Sequence, residues 1–180
     1  MKERVYALFG VVGPLVAYVF IGASILLSPW FSWERNALSD LGHAVKSPVA
    51  PIFNLGLLLA GFLITLYAVM SFKKHAKYTS INLVVSSILL QLVATFDEVY
   101  VFLHGTVSVL FFISISITSL VYAYERKSSL AAIAFIISLS SWILYELKIY
   151  TAGIAVPETI SSVAIVSLFI YTAIKIYLGK

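Results

Sequence analysis

Ser39 and His43 stand four residues apart in the run Asn36-Ala37-Leu38-Ser39-Asp40-Leu41-Gly42-His43. On an α-helix that spacing puts a hydroxyl and an imidazole on one face. There the imidazole could take the hydroxyl proton, or join Asp40 in holding a metal. The same run also reads as plain structure, with Asn36 or Ser39 capping a short helix and Gly42 ending it. A second group is Asp97 and Glu98, followed by His104. Adjacent carboxylates at a helix end in a bilayer must be solvated, paired or metal-bound; the plain alternative is that Asp97 caps a helix. Ser39, Asp40, His43, Asp97, Glu98 and His104 are therefore the candidate catalytic set. His43, Asp97 and His104 are the candidate ligands of Zn or another divalent metal, with water in an open position.

Around these groups run polar stripes at helical spacing. Ser87, Gln91, Thr95 and Glu98 share one face; Ser138, Ser141, Tyr145 and Lys148 share another; His104 and Ser108 are four apart. They are expected to line a polar cavity, with Asn36 positioning a head group, or to hydrogen-bond between helices. Glu146 and Lys148, two apart, face different sides of their helix, so one can face the cavity while the other reaches water. Pro157-Glu158 reads as a helix start. His75, among Lys73, Lys74 and Lys77, reads as a solvated loop residue.

The elements that must hold these groups follow from composition. Of 180 residues, 61% are hydrophobic and 11% charged. A soluble domain is nearer half apolar and a quarter charged, and the mean hydropathy is +1.02. A soluble domain, a disordered chain and a nucleic-acid-binding arm are excluded. A bilayer-spanning helix takes about 20 apolar residues, and six apolar segments can be read: Val5–Ser28, Val49–Phe72, Ser80–Phe96, Val99–Tyr124, Leu130–Leu147 and Pro157–Leu178. The runs are too long for strands and lack period-two alternation. The expected fold is one all-α transmembrane domain of six helices over residues 1–180. The apolar stretch after Met1-Lys2-Glu3-Arg4 exceeds the core of a signal peptide, so a retained first helix is expected. Pro14 should kink it. Without Cys there is no disulfide, thiolate metal site or cysteine nucleophile.

Nine of the twelve basic residues fall at one end of this bundle: Lys2, Arg4, Lys73, Lys74, Lys77, Arg126, Lys127, Lys175 and Lys180. The positive-inside rule puts that end, with both termini, in the cytoplasm. Six of the eight acids (Glu34, Asp40, Asp97, Glu98, Glu146 and Glu158) then face outward with only Arg35, Lys46 and Lys148. The net charge of +4 thus divides into +7 inside and −3 outside.

Gly13-Pro14, the run Asn36-Ala37-Leu38-Ser39-Asp40-Leu41-Gly42, and Asn54 resemble a six-helix prokaryotic membrane family catalogued as domain of unknown function 998. Ser39-Asp40 followed by Gly42 is more distantly similar to the eukaryotic Frag1/DRAM/Sfk1 membrane family, which implies a link to lipid remodelling. Ser39, His43 and Asp97 also look like the first elements of the membrane hydrolases that include alkaline ceramidases and adiponectin receptors. The late His pair of that zinc site is missing here, because no His follows His104.

The expected function is an outer-face site that binds or remodels membrane lipid. In its enzymatic version, water activated by a metal or histidine attacks a lipid ester or amide, with Asp97 or Glu98 as base. The alternative is a non-enzymatic lipid- or small-molecule-binding scaffold or transporter subunit, with small residues such as Gly56 and Ala60 allowing close packing or homo-oligomer contacts. The cell membrane is the expected location, lipid the expected partner, and nucleic acid is not expected.

Overall fold

The computed structural model describes residues 2–179. Met1, Lys180 and the side chains of Lys2 and Glu3 lie outside the described residues, and with them the place of Lys2, Lys180 and Glu3 in the charge assignment. Among the described residues, six helices are long and apolar enough to cross a membrane. They are α1 (Arg4–Leu26), α2 (Ala50–His75), α3 (Lys77–Thr95), α4 (Phe102–Arg126), α5 (Ser129–Glu146) and α6 (Ala155–Leu178). Among the described residues there is no strand.

Hydropathy marks where lipid begins, not where a helix ends. Helix α2 runs past Phe72 through Lys73, Lys74 and His75, and α3 opens at Lys77 instead of Ser80, so Ala76 alone separates them. Long basic side chains reach water while their backbone continues the helix. The bare N-terminus of α3 is closed from another helix. The Glu125 carboxylate accepts the Thr79 amide at 2.8 Å, the Thr79 hydroxyl at 2.7 Å and the Tyr78 amide at 3.1 Å. Free amides at a helix start need such acceptors. In the first span the helix breaks at Leu8, between Lys2–Ala7 and Phe9–Leu26, and continues through Pro14.

Consecutive helices pack in order, and α6 also packs against α1 and α4, which closes a ring past α5. Close approach of α1 and α2 depends on Gly56: a Cβ there would lie 2.2 Å from that of Phe20. At the end where α1 begins and α6 finishes, Phe72 is fully buried among Tyr67, Tyr122 and Phe169, with ring centroids 5.3 to 5.7 Å away. At the acidic end the core is Leu41, Val49, Phe53, Leu57, Val93, Ala94 and Val107. Leu41 belongs to the first loop, so that loop is folded into the bundle.

Five spans surround a central space of about 140 Å³, to which α5 contributes no residue. Helix α5 stands outside the ring. Toward the basic end it is bonded to α4 through Ser119 Oγ to the Ala131 carbonyl, at 2.9 Å, and Ser116 to Ser138, at 3.0 Å. Toward the acidic end α4 and α5 border a cleft of about 960 Å³.

Candidate functional site

The first loop is built from backbone bonds to distant segments. The Trp33 carbonyl accepts the Gly153 amide at 2.8 Å and the Asn36 carbonyl accepts the Ala155 amide at 2.9 Å. Gly153 is required there, because a Cβ would sit 2.4 Å from the Asn36 oxygen. Asn54 on α2 donates to the Gly42 carbonyl at 2.9 Å. Between these anchors the chain forms a short 3₁₀ helix, Leu38–Gly42. Asp40 holds its start: one carboxylate oxygen accepts the Asn36 amide group at 2.7 Å and the Ala37 amide at 3.0 Å.

This geometry corrects the expected pairing of Ser39 with His43. A 3₁₀ helix has three residues per turn, so side chains four apart diverge by about 120°. Ser39 donates instead to Glu98 at 2.6 Å, which lays the first loop over the turn between α3 and α4. His43 accepts the Val45 amide on Nδ1 at 3.3 Å and lines the cleft separately.

Asp97 and Glu98 also divide their roles. Asp97 accepts the Val99 amide at 2.8 Å and so caps the 3₁₀ turn Glu98–Tyr100. Glu98 turns inward. Burial raises its pKa above the ordinary carboxylate value, and the nearby Asp40 carboxylate adds to this, while the Ser39 hydroxyl and His104 oppose it. The sparsely populated backbone at Val101, with φ of 31°, joins this turn to α4.

His104 is buried at the top of α4. Its Nδ1 lies 2.7 Å from the Phe96 carbonyl. A carbonyl only accepts, so Nδ1 carries the proton. In the neutral ring Nε2 is then an acceptor. It faces the Ser108 hydroxyl at 3.3 Å and Glu98 at 3.8 Å. Ser39, Glu98, His104 and Ser108 thus form one connected group, all on the cleft wall.

The proposed metal triad does not assemble. Among the described residues no three His, Asp or Glu side chains converge as metal ligands. Asp97 is spent on its own turn, while His43 and His104 lie on the cleft wall without it.

The stripes divide between lining and structure. Ser87 lines the central space, Ser108 lines both spaces, and Tyr145 lines the cleft. Gln91 and Thr95 bond to backbone one turn earlier, Asn36 is held by Asp40, and Lys148 is exposed outside the cleft. Glu146 lines the cleft where Lys148 does not.

Glu158 was legible only as a helix start. It does lie in the first turn of the last helix. Yet it is 7% exposed, accepts the Leu38 amide at 2.7 Å and lines both the cleft and the central space. The signal for a second role was weak: an acid one turn inside an apolar span.

The cleft itself is amphipathic. Its polar end carries Ser39, Glu98, His104 and Glu158, with Lys46 and Glu146 also on its lining; its walls include Val109, Phe112, Ile113, Ile117, Phe135 and Leu139. Comparison with known families gives one match, over residues 11–175, to the family described as protein of unknown function, DUF998. No curated protein and no solved structure matches the chain.

Proposed function

The chain belongs to the DUF998 family, proteins of unknown function, and on that footing we propose that it is a cell-membrane protein whose acidic face binds a single membrane amphiphile. Both termini lie in the cytoplasm and the cleft opens at the outer leaflet. The head group occupies the end bearing Glu98, Glu158 and His104, and an acyl chain lies between α4 and α5. One observation carries this reading: a cleft of about 960 Å³ in which a polar end continues into apolar walls. Ligand sites are typically concave, mostly apolar and fitted with a few convergent polar groups. Carboxylates and an imidazole acceptor select a head group rich in hydroxyl or ammonium donors.

Gly105 offers a test that leaves the fold alone. It lines the cleft, and a Cβ placed there meets nothing within 4 Å. Gly105→Leu should therefore start its side chain in open space and obstruct the cleft beside His104, and should gain helix propensity of about 1 kcal/mol. Native mass spectrometry of protein in mild detergent should find a co-purified amphiphile on the wild type and lose it, by tenfold or more, in Gly105→Leu. Equal lipid on a well-folded variant would overturn the reading.

A further inference from the structure

We propose that Ser108 and His104 form a nucleophile–base pair that cleaves the acyl ester of the amphiphile held in the cleft; this rests on the binding reading above. The pair satisfies the geometric order such chemistry needs. The base is oriented by a third group, since the Phe96 carbonyl fixes Nδ1–H at 2.7 Å. The base then faces the nucleophile, since Nε2 lies 3.3 Å from the Ser108 hydroxyl. That arrangement, nucleophile to base to orienting group, is the signature of an activated serine.

Position points to the same substrate. Ser108 lies six residues below Phe102 at the start of α4, which is about 9 Å at 1.5 Å per residue. With a head group among Glu98 and Glu158, the first ester linkages of a glycerolipid fall at about that depth. The facing wall holds Trp142 on α5, whose ring lies 5.0 Å from that of Phe112, one turn beyond Ser108 on the same face of α4.

The step balances without a metal. Ser108 Oγ bonds to the ester carbonyl carbon as its proton passes to His104 Nε2. The tetrahedral adduct collapses, and the leaving alcohol takes that proton. Water then attacks the acyl-serine, gives its proton to Nε2, and releases the fatty acid while Ser108 regains its hydrogen. Glu98, 3.8 Å from Nε2, stabilises the imidazolium formed in between. Ser39 is the positioning residue that holds Glu98 there.

The test is covalent labelling of the full-length protein in detergent with a lipophilic fluorophosphonate, read by mass spectrometry, beside native mass spectrometry of bound lipid. A single phosphonylated residue, Ser108, is expected, and no label in Ser108→Ala. His104→Asn keeps an N–H for the Phe96 carbonyl but removes the base, and labelling should fall by about 100-fold or more. Lipid-loaded protein with Ser108 unlabelled overturns this inference and leaves the binding reading standing. Protein with neither lipid nor label overturns both. Labelling unchanged in His104→Asn overturns the pairing.

Discussion

At Glu98 the environment penalises charge. Burial comes first, and the Asp40 carboxylate beside it acts in the same direction. A carboxyl whose pKa is raised by folding binds its proton more tightly in the native state. Its contribution to stability is therefore fully present below the ordinary carboxylate pKa, and is lost as pH rises through the raised value. Glu98→Gln keeps an acceptor for the Ser39 hydroxyl and removes the charge. Its melting temperature should match the wild type at acidic pH and exceed it increasingly as pH is raised above the ordinary carboxylate range. A difference that is flat with pH in thermal unfolding would count against the assignment. Val101, three residues on, has a positive φ that a β-branched residue rarely adopts. Such a residue costs about 1–3 kcal/mol, part of which glycine returns by loosening the unfolded chain. Val101→Gly should stabilise by about 1 kcal/mol net, seen as a rise of about 2–4 °C in midpoint for a chain of this size. Glu98 was recognisable from the sequence as a candidate, but the strain at Val101 was not, because a dihedral angle follows from the turn's closure and not from residue type.

The element that organises the site is the first loop, and its hold is a set of bonds to groups far away in sequence. Leu38 donates to Glu158, 120 residues on, and Ser39 to Glu98, 59 residues on. Leaving a buried donor without its partner costs about 1–3 kcal/mol. Glu158→Ala should cost about that much, and it should free the loop without melting the helices. Hydrogen exchange is the direct check: the Leu38 amide should exchange much faster in Glu158→Ala, and unchanged in Glu146→Ala, whose residue is exposed. This is also where sequence reasoning reached its limit. Asn36, Ser39 and Asp40 were recognisable as capping types, and a short helix does form there. Its 3₁₀ geometry was not recognisable, and that geometry turns Ser39 from His43 toward Glu98. Pro157 and Glu158 marked a helix start correctly, but local signatures describe a residue's own helix. They carry nothing about a loop arriving from elsewhere to use the same carboxylate. The cleft was hidden for a related reason: the displacement of α5 from the ring is set by which faces interlock, and all six segments look alike in hydropathy.

For the whole molecule, composition carried the most. An apolar share of 61% against 11% charged leaves little room for anything but helices long enough to span a bilayer, and six are present. The segregation of charge goes further than the fold, because it gives each end of the bundle a sign. An even number of spans puts both termini at one end whatever the orientation, so orientation rests on charge alone. In the proposed orientation, drawn from the positive-inside rule, the basic loops around Lys73 and Arg126 face the cytoplasm and the cleft meets the outer leaflet. The absence of cysteine makes this measurable without background. Glu34 is exposed in the first loop and Lys127 in the turn between α4 and α5. In intact cells a membrane-impermeant maleimide should label Glu34→Cys and not Lys127→Cys, and permeabilisation should expose the second. The reverse pattern would place the cleft in the inner leaflet. It would leave the Ser108–His104 chemistry intact but supply it with lipid from the cytoplasmic side, so the leaflet of origin and the reaction can be decided separately.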